Sequence, residues 1–98
     1  MSEPRKMPFH LGELDLVLVP AMTYTDMKKL RGFGELARKD HYAAIDLVIE
    51  LFWKCAHAGD ESITREQIEN NVVMPDGVQT MMLGLFQLGS PVSNGRVM

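Results

Sequence analysis

The sequence predicts an α+β domain, mostly helical, in which an N-terminal β-hairpin packs on a three- to four-helix bundle. Three observations carry that expectation. Residues 41–59, HYAAIDLVIELFWKCAHAG, place Tyr42, Ile45, Val48, Ile49, Phe52 and Ala56 at helical spacing, with Leu47, Leu51 and Trp53 widening the stripe. Residues 14–18 instead alternate, with Leu14, Leu16 and Leu18 set against Asp15 and Val17. Between and after these stretches, Gly and Pro punctuation divides the chain into short helical segments.

The chain has 98 residues, enough for one small core and not for two. Its 46% hydrophobic and 23% charged residues give an ordinary globular balance, so the expected domain runs over residues 7–89. Flexible segments are expected at residues 1–6 and 90–98. No apolar run is long enough to span a bilayer, and MSEPRKMPF lacks the apolar centre of a signal peptide. A soluble intracellular protein is expected, with no membrane partner. There is no internal repeat and no low-complexity segment.

In chain order, Phe9 and Leu11 form the first strand, Gly12 the turn, and residues 14–18 the second strand, closed by Pro20. Two strands alone are marginal in water, so the hairpin must lie on helices or pair with another chain through its outer edge. A short helix follows, with Thr23 or Thr25 as N-cap, Asp26 in the first turn, and Lys28, Lys29 and Arg31 before Gly32. Met27 and Leu30 supply its buried edge. Gly32 and Gly34 around Phe33 mark a break, and ELARKD is expected as a turn or loop leading to Asp40, the N-cap of the central helix. On that helix Asp46, Glu50, Lys54 and His57 form one polar seam, with Glu50 and Lys54 spaced to pair. Thr64 and Gln67 have capping-box spacing for the next helix, whose inward edge is Ile68 and Val72. After MPDG, residues Val78, Met81, Met82, Leu85, Phe86 and Leu88 return at helical spacing, with Pro75 suited to a first helical position.

Few catalytic or metal chemistries fit. Cys55 and His57 lie about 200° apart around a helix, so they cannot face one ion. The single cysteine forms no disulfide framework and is expected in the core. The segment AHAGDESITREQ aligns poorly with a calcium loop, since Ala56 and Ala58 fall where carboxylates belong and Gln67 where the bidentate Glu belongs. No Gly-rich phosphate loop follows a strand, and no nucleophile has an identifiable base. The expectation is no catalytic residue, no cofactor and no metal. A helix-turn-helix DNA-binding regulator is a rival reading, but its recognition helix would carry only Gln79, Thr80 and Gln87 among Met, Leu and Phe. Nucleic acid is therefore not an expected partner.

Two features point to protein partners. Eight methionines are many for this length, and Met81 and Met82, on an apolar helix, read as core filler first and as an adaptable binding groove second. Charge is also segregated: residues 28–39 hold five bases and one acid, whereas residues 40–76 hold eight acids and two bases. A hydrophobic partner is expected on Met81, Met82, Leu85 and Phe86, and self-association between Lys28, Lys29 and Arg31 and acids such as Glu66 and Glu69.

The order of these elements resembles the small tail assembly chaperones of tailed bacteriophages, encoded beside the tape measure protein. The resemblance covers most of residues 7–89. It rests on an opening MPF and leucine-glycine turn at residues 7–12, an apolar strand ending in proline at 14–20, and a leucine-containing basic helix at 25–31. It continues with an AAIDLV-like segment at residues 43–48, T-R-E-x-I at 64–68, and a final helix with a glycine-serine stop at 83–90. Residues 72–77, VVMPDG, depart from the leucine-acid-leucine segment and asparagine of the best-matching relatives. The resemblance implies an oligomeric ring or spiral that coats the tape measure protein and keeps it soluble in the cytoplasm of the bacterial host. It also implies absence from the mature virion. A structural virion subunit, such as a head-tail connector or tail completion protein, is the alternative of a different class.

Overall fold

The computed structural model describes residues 6–89, so the expected flexible ends fall, apart from Lys6, outside the described residues. The elements in order are β1 (Met7–Leu11), β2 (Leu14–Leu18), α1 (Tyr24–Arg31), α2 (Phe33–Lys39), α3 (His41–Gly59), α4 (Arg65–Asn71) and α5 (Asp76–Gly89). The class is the expected one, α+β and mostly helical, with the hairpin at the N-terminus.

Everything packs on α3, whose bounds are those the apolar spacing predicts. Asp40 caps it, its carboxylate accepting from Ala43 N at 3.1 Å, a cap that contributes about 1 kcal/mol. Ala44, Ile45, Val48, Ile49, Leu51, Phe52, Cys55 and Ala56 are all buried. Burying a Val, Ile, Leu or Phe side chain fully contributes about 1.5–3 kcal/mol, so this one helix holds a large share of the core. α2 lies along it, α5 and α4 cover further sides, and β2 runs against its C-terminal half.

The hairpin is antiparallel, pairing Met7 with Leu18, Phe9 with Leu16 and Leu11 with Leu14. Its inward face is Phe9, Leu11, Leu14, Leu16 and Leu18, while Pro8, His10, Asp15 and Val17 face out. The Phe9 ring meets Phe52 edge-on, with centroids 5.2 Å apart. Val19 N donates to Cys55 O at 3.1 Å, and a β-carbon at Gly59 would overlap the Val17 carbonyl oxygen, so strand and helix approach with no room for a side chain. Because a two-residue turn closes the hairpin, Leu11 and Leu14 form a hydrogen-bonded pair, and the alternation turns the backbone nitrogens of Pro8 and His10 outward. Pro8 has no N–H to offer there, which blunts the edge expected to be a joining site.

Gly12 makes that turn at φ +59°, and it is also where the hairpin meets α4. Asn71 Oδ1 accepts from Glu13 N at 2.9 Å while Asn71 Nδ2 donates to Gln67 O at 2.8 Å. A β-carbon on Gly12 would sit 2.7 Å from Asn71 Oδ1.

Thr23, rather than Thr25, caps α1 in a reciprocal box: Asp26 N donates to Thr23 Oγ1 at 3.1 Å and Thr23 N to Asp26 Oδ2 at 3.0 Å. Asp26 is buried, and Lys54 of α3 donates to it at 2.5 Å. Lys54 therefore pairs across elements and not with Glu50. The expected water-facing seam is divided: Asp46 and Glu50 are exposed, whereas Lys54 and His57 are half-buried. Ile63 O accepts from Trp53 Nε1 at 3.0 Å, with His57 Nδ1 3.3 Å from the same oxygen, which ties the loop after α3 back onto the helix.

Two expectations are corrected. Residues 33–39 form a helix and not a turn or loop, because Leu36 and Ala37 find partial cover on α3. Pro75 sits just outside α5, its carbonyl accepting from Val78 N at 3.3 Å, so α5 begins at Asp76. The Thr64–Gln67 capping box is observed, with Gln67 N donating to Thr64 Oγ1 at 3.1 Å and Thr64 N to Gln67 Oε1 at 2.8 Å.

Gly12→Ala should lower unfolding free energy by more than about 2 kcal/mol, combining the left-handed conformation with the collision at Asn71. Gly34→Ala, where beyond the neighbouring residues and the helix's own backbone nothing described lies within 4 Å of the new β-carbon, should raise it by about 0.5–1 kcal/mol. Urea titration of the two variants checks both signs.

The Lys54 hydrogen bond, then the Thr23 N–H, hold the Asp26 carboxyl below its ordinary range. A lowered folded value means that this carboxylate stabilises the fold above the unfolded pKa of about 3.9 and that the contribution fades as pH falls through the folded value. The stability difference between the wild type and Asp26→Asn should be constant from pH 7 to 5 and shrink below about pH 4. Asp60, whose carboxyl Ser62 also lowers through its hydroxyl and N–H, titrates in both proteins and cancels in that difference.

Candidate partner-binding surfaces

The four residues expected to take a hydrophobic partner do not share one exposed face. Met81 and Leu85 have no exposed surface and belong to the core with Val78 and Leu88. At 100° per residue, Met82 and Phe86 lie about 100° and 140° round from Met81. Met82 is half-buried and Phe86 is 45% exposed. Helical spacing identified the apolar stripe of α5; it did not say which part of so wide a stripe turns inward.

The outer part of that stripe opens onto a cleft of about 310 Å³ between α2, the start of α3 and α5. Ile45 and Val78 form its floor, Phe33 and Met82 its walls, and His41 and Met74 its mouth, with Pro75 and Gln79 beside them. α2 brings Phe33 into place because Gly32 ends α1 and starts the next helix without a spacer. Met74 arrives on the connection between α4 and α5, where Val73 and Met74 are exposed. Leu83, 57% exposed, and Phe86 extend the apolar surface along α5.

A second cleft, of about 250 Å³, is lined by Pro20, Met22, Met27 and Leu88. Six methionines fall among the described residues. Met74 and Met82 line the first cleft, Met22 and Met27 the second, and only Met81 is fully buried. The methionine count was the signal available in the sequence; Met74 and Phe33 were missed because they sit in segments read as breaks.

Such surfaces bind apolar side chains. Flexible thioethers adapt to irregular shapes, and a cleft of this size falls at the small end of ligand-binding pockets. Burial pushes the Cys55 thiol above its usual range, so it remains a neutral core group. Among the described residues no three His, Cys, Asp or Glu side chains gather as metal ligands, and no helix is long and apolar enough to cross a membrane.

The residues expected in self-association are exposed: Lys28, Lys29 and Arg31 on α1, and Glu66 and Glu69 on α4. Within one chain the two groups do not meet. Glu69 instead lies 3.3 Å from Arg65 Nε, a charge contact without hydrogen-bond geometry. Scans of the chain against protein-family models, curated proteins and solved structures find no match.

Met81→Ala and Leu85→Ala should each cost about 2–5 kcal/mol through cavity formation. Met74→Ala and Leu83→Ser, on the open side, should stay within about 0.5 kcal/mol. Thermal unfolding of the four variants separates the core face from the open face.

Proposed function

We propose that this chain is a tail assembly chaperone, acting in multiple copies to bind the tape measure protein of its phage and keep it soluble before the tail tube forms. The single observation that carries the reading is the methionine-lined cleft of about 310 Å³, which continues onto the exposed apolar side of α5. A tape measure is a long helical chain with apolar stripes. A protein that covers it needs an adaptable apolar groove repeated many times, and weak individual contacts suffice when neighbouring copies add avidity. The sequence resemblance to tail assembly chaperones supports the same reading. On it, the protein works in the cytoplasm of the infected cell and leaves before the virion is complete.

The DNA-regulator reading draws no support from α5, which carries no Lys or Arg along Asp76–Gly89. Expression of the tape measure protein from the same genome, with and without this chain, tests the proposal. The tape measure should become soluble and co-purify only when the chain is present, and a Met74→Glu/Met82→Glu double variant with unchanged circular dichroism should lose most of that gain. No gain in solubility with the wild type, together with this chain in purified particles by mass spectrometry, would assign it to the virion as a structural subunit.

A further inference from the structure

We propose that the cleft between α2 and α5 takes an amphipathic helix that carries acids on the side turned to α2. The proposal deepens the reading above, on which it rests for a partner at this site, by naming the kind of segment that binds.

The helical form of the occupant follows from α5. Met82 walls the cleft, and Gln79, Met82, Leu83 and Phe86 stand at positions i, i+3, i+4 and i+7, a row of about 10 Å along one side of the helix. Gln79, Leu83 and Phe86 are exposed and Met82 is half-buried. That is the spacing by which one helix packs along another. An extended segment would need a strand edge to pair with, and the cleft is bounded by helices and the connection before α5. The space of about 310 Å³ over Ile45 and Val78 accepts an apolar anchor from the bound helix.

The acids follow from the two banks of the cleft. α2 forms one bank from end to end, because Phe33 at its start and His41 just past its end both line the space. Arg31 stands two residues before Phe33 and Lys39 two before His41, so each α-carbon lies within about 7 Å of that of a lining residue. Both side chains are exposed, and among the described residues neither has a carboxylate within ion-pair distance. The acids nearby are engaged or turned elsewhere. Glu35 is about 200° round α2 from Phe33, and Asp40 Oδ1 accepts from Ala43 N as the cap of α3. Asp46, next to Ile45, lies 3.9 Å from Arg65 of α4. The α5 bank carries no Lys or Arg, and its one acid, Asp76, lines a different cleft with His10 and Asn71. The apolar cleft thus has a cationic bank on one side only. A helix lying on α5 complements it with Asp or Glu on the side facing α2.

A second copy of this chain is the poorer occupant, because its own row from Gln79 to Phe86 contains no carboxylate to bring to Arg31 and Lys39.

Two fluorescein-labelled synthetic peptides test the proposal, each of about 15 residues, with Leu at i, i+3, i+4 and i+7 on an alanine background. One is flanked by Glu and the other by Lys, and fluorescence anisotropy at ~20 mM and ~500 mM salt reads their affinities. The Glu peptide should bind at least about tenfold more tightly at low salt, and the ratio should fall towards one at high salt. The chain's net charge of −3 favours the Lys peptide at long range, so a preference for Glu reports a local cationic bank. Arg31→Glu/Lys39→Glu should reverse the preference, and the gain for the Lys peptide shows that this variant is folded. Met82→Glu, with unchanged circular dichroism, should weaken both peptides. Equal affinity for the two peptides, or a Glu preference that survives both variants, overturns the proposal and leaves the apolar groove to the co-expression test above. A wild type that binds neither peptide also overturns it. Dimerisation of the free chain that Met82→Glu abolishes would then give the face to a second copy.

Discussion

One apolar helix in a chain of 98 residues sets the problem that the other elements solve. Eight residues of α3 are buried, and they occupy nearly half its circumference. No single neighbour covers so wide an arc. β2, α2, α4 and α5 each take a sector, and β1 extends the cover by pairing with β2 and laying Phe9 on Phe52. This also explains how a two-stranded sheet, marginal by itself, persists here. Its inward leucines are part of the same core as Val48 and Phe52, and its turn is held at Asn71.

The polar strip of α3 is the second half of that solution. Helices attached only by apolar contact can slide or rotate, because hydrophobic burial has no direction. Lys54 to Asp26 sets α1, Arg65 to Asp46 sets α4, and Trp53 to Ile63 sets the loop between α3 and α4. Each uses a residue at the margin of the buried arc, where one partner remains near water and the desolvation cost is limited. Three short polar ties therefore define positions that the core alone would leave loose.

Much of this was legible because it is written in local chemistry. Alternation gave the hairpin, Thr64 and Gln67 the start of α4, and Asp40 and the apolar spacing the whole of α3. What was not legible depends on contacts distant in sequence. Lys54 has Glu50 four residues away, a sound local pair, and only the approach of α1 makes Asp26 the better partner. The choice of Thr23 over Thr25 is by contrast local, since Asp26 closes the box from three residues on. On α5 every apolar residue satisfied the helical period, so the inward side could be settled only by where α3 and β1 lie. The cleft was invisible for a related reason: its lining comes from four separate stretches, two of them around Gly32 and Pro75.

The position of that cleft follows from the weakness of α2. This helix has seven residues, none of them fully buried, and Gly32 gives it no side-chain cap. It rests on α3 through half-buried Phe33, Leu36 and Ala37, and with so little buried surface it belongs to the low end of local stability. A longer or more apolar α2 would close against α5 and fill the space over Ile45 and Val78. The short one leaves the gap open and makes one wall of it easy to displace. Methionine side chains add adaptability on the opposite wall, at Met82, and at the mouth, at Met74. The domain thus concentrates its rigidity around the C-terminal half of α3, where strand, loop and ion pair converge, and places its apolar opening at the other end. The proposed role, accepting varied apolar segments of one long partner, would be served by that division, because the groove can change shape without disturbing the core beneath it.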